Sequence, residues 1–205
     1  MFKEEGQRLK HRIHILILKI WKKEELAVDW ENSIICPIYK KGDQMQCKNY
    51  RPITLLNVAY KIFVTTLCKK LTEIMEGKLG EYQTGFRPDR STIDNKFILH
   101  QIYEKCHKYN MELHNVSIDF NQAFDSINGS TVTKLLKEMQ IPGKIIRLVT
   151  LVTQHTQAKI KLNSEYTEQF EVKTGIRQGD PLSTILFCTV TGVRLCRRYC
   201  AGDKN

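Results

Sequence analysis

The chain has 205 residues, 41% of them hydrophobic, with only 11 glycines and 5 prolines, which supplies one sizeable core and excludes a disordered or collagenous chain. Lys and Arg number 32 against 22 Asp and Glu, and the resulting net charge of +10 favours a polyanionic partner, nucleic acid before membrane surface. The apolar run Ile13 to Ile20 contains Lys19 and is too short to span a bilayer, and 7 cysteines scattered without CxxC pairs read as reduced thiols of an intracellular protein, in cytoplasm or nucleus.

Leu9 to Trp30 carries a poorly phased apolar set that predicts a helix followed by a strand or turn at Asp29-Trp30. Ser33 to Tyr39 then reads as a strand, and Lys40-Lys41-Gly42-Asp43 supplies the turn of a basic hairpin. Leu55, Leu56, Ala59, Ile62, Phe63, Leu67, Leu71 and Ile74 recur at spacings of three and four, predicting a long helix over about 54–76 that ends at Gly77 and Gly80. A second helix is expected after Ser91, with Asp94 completing a capping box and Ile93, Phe97, Ile98, Ile102 and Tyr103 on its inner face.

The period then changes, and His114 to Phe120 alternates polar and apolar as a strand that presents Asp119 on its other face. Helical signals return from Gly129 to Met139 and after Pro142-Gly143. Ala158–Leu162 and Phe170–Val172 read as a strand pair, and Pro181 opens a last helix. The class is α+β.

Four segments carry chemistry. Asp119 through Asp125 puts a carboxylate at a strand end before a tight turn, which suits a magnesium ion that keeps part of its water shell; an ordinary capping acid is the alternative. Gly175 to Ser183 brings two glycines, Arg177, Gln178 and a helix-opening proline together, so that backbone can approach a flat ligand closely. The hairpin Lys40-Lys41 with its exit Asn49 to Ile53 offers Lys and Arg to a triphosphate, or is a solvated charged turn. Gln83 to Thr92 sets two arginines before a helix start, as a nucleic-acid backbone contact or a plain capped loop. A zinc site from Cys196, Cys200 and a distant His has only an i, i+4 spacing behind it.

The ordered series Asn49-Tyr50-Arg51-Pro52-Ile53, Gly85-Phe86-Arg87-Pro88 through Thr92, Asp119-Phe120 through Ala123-Phe124-Asp125, and Gln178-Gly179-Asp180-Pro181-Leu182-Ser183 resembles the reverse transcriptase domain of non-LTR retrotransposons, over about Ile34 to Phe187. The resemblance implies a right-handed polymerase fold of fingers plus an incomplete palm: a fingers-like region 1–113, a partial palm 114–192 and a divergent basic tail 193–205. It implies that Asp119 binds the catalytic metal, magnesium or manganese, with the carbonyl of Phe120, and that Phe124 excludes a ribose 2′-hydroxyl. Gln178 and Gly179 would line the nascent base pair, while Lys40, Lys41 and Arg51 would bind triphosphate. Arg87, Arg90 and Arg177 would contact nucleic acid. The implied partners are an RNA template, a DNA primer and deoxynucleoside triphosphates, with no membrane.

The family's aromatic-x-Asp-Asp box, which supplies further metal-binding acids, has no match; Tyr199 to Asp203 lacks the paired acids and lies too close to Gln178. Little or no activity is therefore expected from this chain alone, and the unfinished palm is expected to leave an unpaired edge. The reading is a fragment of an RNA-directed DNA polymerase, and the alternative is a non-catalytic basic RNA- or DNA-binding remnant.

Overall fold

A computed structural model describes residues 6–120, 122–154 and 156–199, without the side chains of 193–199. In chain order the elements are α1 (Gln7–Lys23), α2 (Val28–Glu31), β1 (Asn32–Tyr39), β2 (Tyr50–Leu55), α3 (Val58–Glu76), α4 (Thr92–Lys108), α5 (Gly129–Glu138), α6 (Gly143–Thr153), β3 (Thr156–Leu162), β4 (Glu165–Tyr166), β5 (Phe170–Val172) and α7 (Leu182–Tyr199). The α+β class is as expected. The tail 193–205 and the Cys196–Cys200 pair lie outside the described side chains, and the α7 backbone continues through Tyr199.

The basic hairpin forms as antiparallel β1 and β2, in register from Ile34 opposite Leu55 to Tyr39 opposite Tyr50, and the Tyr39 and Tyr50 rings meet edge to face at 5.6 Å. β1 also pairs in parallel with β3, Asn32 opposite Gln157 through Ile35 opposite Ile160, and β3 carries β5 antiparallel as foreseen. One sheet results, with β1 and β3 at its centre.

Below the sheet lies a helical core. α3 buries Tyr60, Phe63, Val64, Leu67, Leu71 and Met75, spaced by three and four, against apolar side chains of α5, α6 and α7 such as Leu136, Val149 and Leu186. Burying such a side chain contributes about 1.5–3 kcal/mol each, so this seam holds α3 to the helices that follow it in the chain. α3 starts later than its periodicity predicts. Residues 50–55 go into the β2 ladder, and Asn57 caps the helix by accepting the Ala59 N–H at 2.8 Å.

Two expectations fail for one reason. α4 has the predicted capping box at Ser91 and Asp94, yet its supposed inner face is exposed, Ile93 by 70% and Phe97 by 64%. Residues 114–120 form no strand, and Val116 is 81% exposed. Cap and alternation are local properties, whereas an inner face and a ladder need a neighbour, and no described strand runs beside 114–120.

Arg87 is a further correction. Its side chain is buried, with the guanidinium 2.6 Å from the Glu76 carboxylate and donating to the carbonyls of Gly80 (2.8 Å) and Gln83 (3.0 Å). It ties the end of α3 to the loop that follows, and its fork has no donor group left facing solvent for a template phosphate.

The Arg87 guanidinium also holds the Glu76 carboxyl below the usual carboxylate range. Stabilisation from a lowered carboxylate is complete above its unfolded value of about 4.3 and is lost as pH falls through the folded value. Arg87→Met is expected to destabilise by about 2 kcal/mol in urea unfolding at neutral pH. It should also lose less further stability than the wild type on acidification below that value.

Candidate functional site

Four chain segments meet around an open cleft of about 830 Å³: Lys40 and Arg51 of the hairpin, Lys61 of α3, the turn Gln122–Asp125, and the Gln178–Gly179 loop with the start of α7. Two backbone junctions build it. On one side the Thr54 N–H donates to the Gln178 carbonyl at 2.9 Å, making an isolated parallel bridge between β2 and the loop. On the other, the Ile176 N–H donates to the Phe124 carbonyl and the Gly175 N–H to the Ile127 carbonyl, both at 2.9 Å.

Glycine is required at both ends of this loop. Gly175 has φ +98, and a Cβ there would lie 3.1 Å from the Asp125 Cα; Gly179 has φ +102 and packs over the Thr54 carbonyl. The close approach lets the Gln178 carboxamide donate to both Asp125 oxygens, at 3.1 and 3.2 Å. That fixes which end of the amide is the donor and leaves its carbonyl oxygen without a partner among the described residues.

Beneath the cleft, the Tyr60 hydroxyl donates to the Asp180 Oδ2 and the Leu182 N–H to Oδ1, each at 2.8 Å. Asp180 thus caps α7 and links it to α3. Burial pushes its carboxyl up, against those hydrogen bonds and the charges of Arg177 and Lys61. Burial first, then Asp180, pushes the Tyr60 phenol well up. Sequence reasoning missed Tyr60, which lies outside the apolar set read for this helix; its only signal is a hydroxyl in what proves a fully buried row.

The predicted site residues divide. Lys40, Arg51, Phe124, Gln178 and Gly179 line the cleft, and Lys41 is exposed on the turn beside it. Asp119 is exposed and lies outside the lining; its neighbour Phe120 packs its ring on Phe187 of α7 at 5.8 Å, and Phe124 packs on the same ring at 5.5 Å. The acid and the glutamine loop are therefore joined through one aromatic cluster rather than face to face. Arg90 is paired with Glu81 at 2.8 Å on the surface. Arg177 donates to the carbonyls of Trp30 and Glu31 and lies 5.3 Å over the Tyr60 ring, a tie between α2 and α3.

The carboxylates fall short of a metal centre. Asp125 is held by Gln178 and Asp180 by Tyr60, and no group of three or more His, Cys, Asp or Glu among the described residues could hold a metal ion. A lone Asp119 does not fit a pair of divalent cations. No described helix is long and apolar enough to cross a membrane.

Residues 38–197 match the family model described as reverse transcriptase (RNA-dependent DNA polymerase). Over 183 residues the chain is 25% identical to the uncharacterized 149 kDa protein of transposon TX1 from Xenopus laevis, covering 89% of this chain and 14% of that protein. Over 160 residues it is 27% identical to a retrovirus-related Pol polyprotein from the type-1 retrotransposable element R2 of Popillia japonica, covering 78% and 22%. It is 26% identical over 165 residues to the probable RNA-directed DNA polymerase from transposon X-element of Drosophila melanogaster, covering 78% and 18%. The chain thus spans less than a quarter of the length of these relatives.

The Tyr60–Asp180 link predicts an asymmetry between two substitutions. Asp180→Ala strands the Tyr60 hydroxyl and the Leu182 N–H, and should cost about 2–3 kcal/mol in chemical denaturation. Asp180→Asn, which keeps an acceptor without a buried charge, should stay within about 1 kcal/mol of the wild type.

Proposed function

The chain belongs to the reverse transcriptase family, and we propose that its cleft is the nucleotide end of an RNA-directed DNA polymerase site. The observation that carries the reading is convergence: Lys40, Arg51, Phe124, Gln178 and Gly179, from three separated segments, line one cleft that brings cations, an aromatic ring and a glycine loop together. The match along most of the chain favours this over a nucleic-acid-binding remnant without polymerase descent.

In this reading residues 1–113 are fingers, 114–192 a partial palm and 193–205 a divergent tail, working inside the cell on an RNA template and a DNA primer. The reaction joins a deoxynucleotide to the primer 3′-hydroxyl with loss of pyrophosphate. Lys40 and Arg51, with Lys41 at the rim, neutralise the triphosphate, Arg51 offering a fork to two oxygens. Phe124, braced by Phe187, closes the space that a ribose 2′-hydroxyl would need. Gln178, set by Asp125, and Gly179 lie along the sugar and base. Arg90, freed from Glu81, is the remaining cation offered to nucleic acid; Arg177 would reach it only by leaving the Trp30 and Glu31 carbonyls.

The family's chemistry uses divalent metal ions, and magnesium held by Asp119 with the Phe120 carbonyl is the proposed one. Because a single uncommitted carboxylate does not fit two cations, no catalytic step is assigned to it in this chain.

Equilibrium binding of dTTP tests the reading. Arg51→Ala is expected to weaken binding about tenfold, and Phe124→Ala to narrow the preference for dTTP over UTP. Unchanged affinity in Arg51→Ala would remove the triphosphate from the cleft. In primer extension on poly(rA)/oligo(dT) with magnesium, the chain alone should incorporate no more than its Asp119→Ala variant; clear excess incorporation would contradict the carboxylate shortage.

A further inference from the structure

α1 and α3 together carry a second surface, lined by residues other than those of the cleft. From Gln7 to Lys23 α1 holds Arg8, Lys10, His11, Arg12, His14, Lys19, Lys22 and Lys23 and no Asp or Glu. Between α1 and α3 runs a groove of about 650 Å³ with an apolar floor of Ile13, Ile17, Leu18 and Ile62. Lys10, His14 and Lys70 stand at its rim, no acid among the described residues lines it, and it shares no described residue with the cleft.

At one end of the groove is Trp21, half-buried, with the ammonium of Lys70 from α3 5.7 Å from its ring centroid and that of Lys144 from α6 5.5 Å away. Three helices thus bring like charges around one indole. A charged helix face is ordinarily solvated and mixed in sign, because like charges one turn apart repel. The α1 face carries no acid, and although Glu24 just beyond it faces Lys144, two lysines over the same ring concentrate positive potential beside an apolar trough.

We propose that the α1–α3 groove binds a single nucleic-acid strand, phosphates on the lysines and a base against Trp21. Charge complementarity selects this occupant: a positive groove interleaved with an aromatic is the chemistry that holds single strands without sequence preference. The groove volume suits a nucleoside-sized group. α1 is about 25 Å long, the reach of roughly seven phosphates at stacked spacing. The surface shares no described lining residue with the cleft, so a strand held there is held apart from it.

The test is titration of the full chain with an oligouridylate at several salt concentrations, following tryptophan emission. The chain has 2 tryptophans, and Trp30 is buried, so quenching by a stacked base reports Trp21. The triple variant Lys10→Ala, Lys70→Ala, Lys144→Ala should bind tenfold or more weakly. Its salt slope should fall by about 2, at roughly 0.7 per phosphate contact. Trp21→Phe should abolish the quench, and melting curves report whether each variant is folded. Affinity and slope unchanged in the triple variant but reduced in Arg51→Ala would overturn the inference and leave the cleft reading intact. Quenching by an acidic amphipathic peptide and none by the oligouridylate would also overturn it, assigning the groove to a protein helix.

Discussion

The loop 175–180 has to pass within van der Waals contact of two backbones at once, the 122–127 turn on one side and β2 on the other. A side chain at Gly175 would meet the Asp125 backbone, and one at Gly179 would sit on the Thr54 carbonyl in a left-handed conformation. Everything else in the cleft depends on that double contact. It aligns the Gln178 carboxamide on Asp125, joins the hairpin's exit strand to the loop and delivers the chain to α7 at an angle that Asp180 and Tyr60 then fix. Phe187, one turn past Ser183 in α7, completes the arrangement by packing on both Phe120 and Phe124.

The same constraint settles what each acid can do. Asp125 and Asp180 act as acceptors for protein donors, one at the cleft wall and one in the interior, and are positioning groups rather than ligands. Of these three, only Asp119 has no hydrogen-bond partner among the described residues, and it sits on an irregular segment beside no described strand. In the proposed reading, the described residues supply the nucleotide-facing half of the site, and its metal-holding half rests on a single carboxylate.

Features whose cause is local could be read from the sequence. The hairpin follows from an apolar run and a Gly-Asp turn, the α4 start from a capping box, and part of the α3 face, Phe63, Leu67 and Leu71, from its period, while the expected Ile62 is exposed. The motif series identified the family and most of the cleft. Features set by distant partners could not be read. The parallel pairing of β1 with β3 joins residues more than a hundred positions apart, and the burial of Arg87 depends on where α3 happens to present Glu76. Two arginines and hydroxyls before a helix have the composition of a phosphate contact, and only packing turns Arg87 inward. At 114–120 the pattern is that of a strand, yet a ladder is a property of two segments.

The central claim is that nucleotide binds against the turn Gln122–Asp125 and the Gln178–Gly179 loop. Photocrosslinking the full chain with 4-thio-dTTP, followed by peptide mapping, tests it most directly. Adducts in the peptides that carry Phe124 and Gln178 to Thr184, competed by unlabelled dTTP, are the predicted result. Competed adducts confined to other surfaces, with none in those two peptides, would contradict it.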